Sequence, residues 1–254
     1  MKHTSIISTW MEEPRWTDGW PVLRGSHEVT LPSVWLVDAA RAHAMLDDRY
    51  NQILSSDEVG RAERFHQPAH RIRYKASHTV LRMLLAGITH ADAATLRFVG
   101  GHHNKPKLTD YQRPSITFNL SHTEHTSMIA VADGAGIGAD IEWIRRPIVI
   151  DDMLAACFSA NEIDYITSRP EEGMRDRFFT LWTRKEAILK LTGEGIGEHL
   201  PLFEVLDGTC VAEKEIIGGT PPDRIYLYSF RLADDYVGCF ATAEPTDLRS
   251  VYRL

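Results

Sequence analysis

Two segments of this sequence read alike: RIRYKASHTVLRMLLAG, from Arg71 to Gly87, and RFFTLWTRKEAILKLTG, from Arg177 to Gly193. Each opens on Arg and closes on a Gly suited to a left-handed helix cap. Upstream of each lies a Ser-x-x-Glu capping-box pattern, Ser55 to Glu58 and Ser159 to Glu162. Downstream, each has a pair of β-rich segments, SITFNLSH with SMIAVAD and RIYLYSF with YVGCFATA. Connections this short leave no room for crossover helices, so the strands of each pair must run antiparallel. We therefore expect an α+β fold of two similar halves in a pseudo-twofold arrangement, with antiparallel sheets and the active site in the cleft between the halves. Turn-rich VADGAGIG (131–138) is the expected joint, giving an N-terminal half over 1–134 and a C-terminal half over 135–254. The residues before about Val34 read as an added segment.

At 254 residues with 43% hydrophobic content, the chain is large enough to bury a core. No apolar run approaches the ~20 residues that span a bilayer. The opening MKHTSIISTWMEEPRW lacks the apolar centre of a secretory signal, so the expected location is cytoplasmic, with no membrane partner. Cys157, Cys210 and Cys239 match no zinc or redox spacing and are expected to be reduced. A net charge of −7 argues against broad electrostatic binding of nucleic acid. Locally the balance reverses. Between Arg61 and Arg82 stand six Lys or Arg (Arg61, Arg64, Arg71, Arg73, Lys75, Arg82) against Glu63 alone, which reads either as an anion site or as a solvated helix face.

Three short stretches concentrate reactive groups. In GIGADIEWIRR the glycines lead into a strand, where alternation puts Asp140 and Glu142 on one side. In LWTRKEAILKLTGEG, Trp182, Glu186 and Lys190 recur every fourth residue and share a helix face. Three carboxylates would make a hard oxygen set suited to Mg²⁺ with a phosphate nearby; the alternatives are an exposed strand face and an ordinary Glu–Lys pair. In FNLSHTEH, Ser121 and His122 are expected to emerge together at a strand end, both able to donate to a phosphate. A zinc site at His122 and His125 lacks supporting ligands. The patterns Gly-x-Ser-x-Gly and Gly-x-x-x-x-Gly-Lys-Ser/Thr do not occur, which removes the common Ser hydrolases and P-loop nucleotide triphosphatases.

In this order the segments resemble the 4′-phosphopantetheinyl transferases, specifically the larger pseudo-dimeric class typified by the surfactin-synthetase-activating enzymes. The resemblance rests on NKPKL (104–108) for a Gly-Lys-Pro motif, FNLSH (118–122) for Asn-x-Ser-His, GADIE (138–142) for Gly-x-Asp-x-Glu, and WTRKEAILK (182–190) for Trp-Thr-x-Lys-Glu-Ala-x-x-Lys. It runs from about Ser55 to Leu206, and Asn104 departs from the usual Gly. It implies transfer of 4′-phosphopantetheine from coenzyme A to a serine of an apo acyl or peptidyl carrier protein, with release of adenosine 3′,5′-bisphosphate. It further implies that Asp140, Glu142 and Glu186 hold Mg²⁺, with Mn²⁺ as the alternative, and that Glu186 or a metal-bound water is the base. Lys190 would neutralise phosphate charge, and Arg61, Arg73, Lys105, Pro106, Ser121 and His122 would bind coenzyme A. Arg145 and Arg146 are candidates for contact with an acidic carrier protein. A monomer suffices, because both halves lie in one chain. The competing classes are a non-catalytic coenzyme A or carrier-protein binding module and a Mg²⁺-dependent phosphodiester hydrolase.

Overall fold

The computed structural model describes residues 2–11, 17–25, 29–46, 49–100, 105–109, 115–134, 136–168, 170–232, 235–247 and 250–254. In chain order the elements are β1 (His3–Trp10), β2 (Thr17–Asp18), α1 (Trp20–Leu23), β3 (Ser33–Asp38), α2 (Ala39–Leu46), α3 (Tyr50–Ile53), α4 (Ser56–Glu63) and α5 (Pro68–Thr89). Then come β4 (Phe98–Gly100), β5 (Pro106–Leu108), β6 (Ile116–Thr123), β7 (Thr126–Asp133), β8 (Ile137–Trp143), α6 (Asp151–Cys157), α7 (Ala160–Thr167) and α8 (Glu171–Thr192). The chain ends with β9 (Gly208–Glu213), α9 (Lys214–Ile217), β10 (Arg224–Leu232), β11 (Tyr236–Thr242) and β12 (Ser250–Arg253).

These elements form two compact α+β units. One comprises Met1–Pro14, Gly100–Lys105 and Ala135–Thr246; the other comprises Arg15–Val99, Pro106–Gly134 and Asp247–Leu254. The units part near residue 134, and they also exchange chain ends, which the expected division at 1–134 and 135–254 does not include. Strand β1, read from the sequence as part of an added segment, lies in the sheet β8-β11-β10-β1-β9 and pairs in parallel with β10, Ser5 opposite Arg224. Strand β12 lies in the sheet β2-β12-β3-β7-β6 and pairs in parallel with β3. The remaining pairings within the two large sheets are antiparallel apart from β12 with β2, and both expected hairpins, β6–β7 and β10–β11, are present. Each unit has its own apolar core, one around Trp35, Leu84, Phe118 and Ile129, the other around Phe178, Ile188, Leu227 and Cys239.

Both capping boxes form as expected. Ser55 Oγ accepts from the Glu58 amide while the Glu58 carboxylate accepts from the Ser55 amide, and Ser159 with Glu162 does the same. The two long helices correct the sequence alignment by three residues. Each is 22 residues long, and a shift of 103 carries Pro68–Thr89 onto Glu171–Thr192. Gly193 is the left-handed cap of α8 (φ 79°), but Gly87 lies inside α5, whose left-handed cap is His90 (φ 56°). A glycine is tolerated within a helix at a cost of about 1 kcal/mol relative to Ala, so it marks a helix end only when the chain actually turns there.

Candidate active site

In helix α8, Leu181 to Lys190, three side chains are half-buried, Trp182, Glu186 and Lys190, and the other seven are buried. The helix face shared by Trp182, Glu186 and Lys190 is thus the side of a sequestered helix segment left open. Trp182 closes its N-terminal end as packing, stacked on Phe178 at 6.3 Å. Alongside runs β8, with Asp140 (4% exposed) and Glu142 (8%) two residues apart on one face. Strand and helix meet at backbone distance. A Cβ on Gly138 would lie 2.0 Å from the Ala187 carbonyl oxygen and 2.5 Å from the Leu191 amide, so only glycine permits this approach.

The charges at this contact are interlocked. Lys190 Nζ donates to Asp140 Oδ1 at 2.6 Å, and Arg146 Nη1 to Glu142 Oε1 at 3.0 Å. The ordinary Glu186–Lys190 pair considered from the sequence is replaced by this cross-element bridge from Lys190 to Asp140. Glu186 Oε1 is buried and has no hydrogen-bond partner among the described residues. Burial, reinforced by the charge of Asp140 and opposed by Lys190, pushes the Glu186 carboxyl up to about 7. Lys105 Nζ donates to the Ile137 carbonyl at 3.1 Å and to the Lys190 carbonyl. Arg145, which with Arg146 was a candidate for carrier contact, is paired with Asp235.

The donor set fits a hard divalent cation: Asp140 and Glu142 both act electrostatically on Glu186, whose buried Oε1 is unsatisfied. Among the described residues no three His, Cys, Asp or Glu are already drawn together as a metal cluster. In this arrangement Lys190 and Arg146 supply the positive charge that two of the acids require.

The remaining expected site residues belong to the other unit. Arg61 is exposed on α4, its guanidinium 5.8 Å from the Tyr74 ring. Arg73 donates to the Glu124 carbonyl in the β6–β7 turn, and burial lowers its pKa. Ser121 and His122 do not emerge together. In β6 they point to opposite faces, Ser121 buried (5% exposed) and His122 exposed, because strand alternation continues through Thr123. Pro106 is exposed at the start of β5, and Asn104 lies outside the described residues. The basic run is also less open than its count implied. Arg71 and Lys75 share Glu63, and Arg82 is buried against Glu58 at 2.8 Å.

Comparison with known proteins decides the family. Residues 136–241, which span β8, α8 and β11, match the 4′-phosphopantetheinyl transferase superfamily. The 4′-phosphopantetheinyl transferase HetI of Nostoc sp. is 34% identical over 166 residues, covering 65% of this chain and 70% of the relative. This chain belongs to the 4′-phosphopantetheinyl transferases. A putative 4′-phosphopantetheinyl transferase of Synechocystis sp. is 32% identical over 170 residues, 66% of this chain and 68% of the relative. The 4′-phosphopantetheinyl transferase Sfp of Bacillus subtilis is 26% identical over 159 residues, 63% and 69% of the two chains.

Within the transferase, the WTRKEAILK motif divides into two jobs. Glu186 and Lys190 face the carboxylates, whereas Arg184 and Lys185 are buried structural cations. Lys185 bridges Glu162 at 2.7 Å and donates to the Leu200 and Phe203 carbonyls; Arg184 holds Ser229, the Val205 carbonyl and Asp207. Sequence reasoning did not find this division, because a buried Lys and a half-open Lys are the same letter. The nearest signal was the apolar run Ala187-Ile188-Leu189 beside Lys185. Among the described residues, no helix of the transferase is long and apolar enough to cross a membrane.

Proposed function

We propose that the enzyme transfers 4′-phosphopantetheine from coenzyme A to a serine hydroxyl of an apo acyl or peptidyl carrier protein in the cytoplasm, acting as a monomer with Mg²⁺ or Mn²⁺. The observation that carries this reading is geometric: Glu186 Oε1 is buried with no hydrogen-bond partner among the described residues, on the helix face from which Lys190 bridges Asp140. Glu186 takes the proton of the carrier serine as its oxygen bonds to the phosphorus bearing pantetheine. The bond from that phosphorus to the bridging oxygen breaks, and adenosine 3′,5′-bisphosphate leaves with that oxygen. Lys190, bridged to Asp140 at 2.6 Å, offsets the charge that builds on the leaving phosphate. Asp140, Glu142 and Glu186 would hold the divalent ion, which when bound supplies charge neutralisation at the pyrophosphate. Arg61, Arg73, Pro106, Ser121 and His122 are proposed coenzyme A contacts on the strength of the motif resemblance, with Lys190 at the phosphates.

The test is incubation with coenzyme A, Mg²⁺ and an apo-carrier protein, read by intact mass. A carrier heavier by one phosphopantetheinyl group and release of the bisphosphate are expected. A carrier of unchanged mass while coenzyme A is cleaved would establish hydrolysis instead. Unchanged carrier and unchanged coenzyme A would leave a binding protein.

A further inference from the structure

We propose that Lys105 is a positioning residue that fastens the acid-bearing strand to the catalytic helix, and that it acts on turnover through Lys190 and Asp140. This deepens the transferase reading and rests on it. The ammonium of Lys105 reaches two carbonyls far away in sequence, that of Ile137 at 3.1 Å and that of Lys190. Ile137 opens β8, and Lys190 lies in the last turn of α8. The carbonyls of a last helical turn lack helical partners and carry the negative end of the helix dipole, so a cation there is favoured twice over.

What lies between the two grips matters most. Gly138 follows Ile137, and it is here that the helix presses on the strand with no room for a Cβ. Lys105 closes the end of that contact. The Lys190 residue whose carbonyl it holds extends its own ammonium to Asp140 Oδ1 at 2.6 Å. A connected path therefore runs from Lys105 through the Lys190 backbone and side chain to the buried acid. Loosening the first link lets the last turn of α8 drift from β8 and slackens the Lys190–Asp140 bridge. The motif resemblance would instead spend the same ammonium on coenzyme A.

The two roles separate experimentally with Lys105→Met. Coenzyme A affinity is measured by titration calorimetry, kcat and KM for both substrates by carrier modification, and amide hydrogen exchange over residues 186–193 on the protein alone. Positioning predicts that kcat falls by about tenfold or more, the scale usual when an orienting contact behind an active group is removed. It also predicts a coenzyme A Kd within about twofold of wild type and faster exchange in the last turn of α8. Unchanged exchange, or a Kd raised by about tenfold or more with kcat preserved, would overturn it in favour of direct contact with coenzyme A. Should Lys105→Met not fold, Lys105→Arg carries the same readouts with the charge retained. The exchange arm uses no substrate, so it judges the strut even if the wild-type enzyme transfers nothing and the functional reading fails.

Discussion

Helices α5 and α8 match position by position over 22 residues, and the match is closest where no substrate could reach. Ser77 and Thr180 both return a hydroxyl hydrogen bond to the carbonyl four residues earlier. Arg82 and Lys185, 103 residues apart, are both buried cations. Each pairs with the capping-box glutamate of the preceding helix, takes two carbonyls from the loop after its own helix, and lies over a phenylalanine ring. The open face is where the units part. Trp182, Glu186 and Lys190 of α8 correspond to Thr79, Met83 and Gly87 of α5. Counting back from the strand ends, Asp140 and Glu142 correspond to Trp35 and Val37, both fully buried apolar residues. Met83 and Gly87 line an open groove of about 1280 Å³ within their own unit, with no carboxylate at the matching positions. The two units share one helical scaffold, and the acids stand on one of them.

The sharpest way to break this comparison is to exchange chemistry at matched positions. Glu186→Gln is expected to lower carrier modification by about 10²-fold or more, the loss usual when a group acting at the transition state is removed. Met83→Gln makes the same side chain at the counterpart position and is expected to leave activity within about threefold. Carrier mass and melting temperature, measured on both variants, check the pair. Comparable losses would mean that the open face of α5 also takes part in turnover.

The shared buried cations provide the next test. Lys185→Met strands Glu162, whose side chain is 0% exposed, and is expected to cost about 3–5 kcal/mol, the range for breaking a fully buried pair. Arg82→Met leaves Glu58, 13% exposed, with water and its capping bonds, so about 1–3 kcal/mol is expected there. Urea unfolding of the two variants measures the difference. Equal costs would show that burial of the glutamate does not set the energy of this repeated device.

Strand–helix spacing differs as well. The position matching Gly138 is Ser33, which is fully buried and whose hydroxyl accepts from the Trp35 indole at 3.0 Å. The unit carrying α5 thus accommodates a side chain where the unit carrying α8 accommodates none. Gly138→Ala is expected to destabilise by about 1–3 kcal/mol through overpacking, and to reduce activity because α8 must move off β8. Ser33→Ala should change stability by only about 1 kcal/mol, the worth of the lost hydrogen bond. Paired melting curves and carrier assays decide whether close approach is special to the unit carrying α8.

How far these features could be read in the sequence depends on how local each one is. The capping boxes and hairpins are fixed by neighbours within a few residues, and all four were legible. So was the placement of Asp140 and Glu142 on one strand face and of Glu186 and Lys190 on one helix face. The end of α5 was not, because Gly87 satisfies the cap pattern while His90 supplies the turn. Ser121 and His122 were taken to emerge together, but the strand runs past them to Thr123. The exchange of β1 and β12, the Lys190–Asp140 bridge and the grip of Lys105 join residues tens to hundreds of positions apart. They follow from the packed fold and leave no periodicity or spacing in the chain.

At neutral pH the smallest effect is expected from a difference hidden in the helices themselves, since His78 of α5 corresponds to the buried apolar Leu181 of α8. The imidazole stacks on Tyr74 at 3.8 Å, with Nδ1 3.0 Å from the Tyr74 carbonyl. Burial pushes its pKa down to about 4; Glu58 and the Tyr74 carbonyl oppose that fall, and Arg61 and Arg82 add to it. The ordinary value is 6.5, so between about pH 6.5 and 4 the unfolded chain binds a proton that the folded protein does not. Stability from this residue is complete above that window and is lost as the pH falls through it. At 1.36 kcal/mol per unit, the loss is at most about 3 kcal/mol and smaller to the extent that water reaches the ring. His78→Leu installs the counterpart residue and removes the proton. Its stability at pH 8 should lie within about 1 kcal/mol of wild type, and its advantage should grow steadily as the pH is lowered to 4. Urea unfolding at several pH values measures both curves. Parallel curves would show that His78 titrates as it does in the unfolded chain, and that this position of α5 is as indifferent to pH as its counterpart in α8.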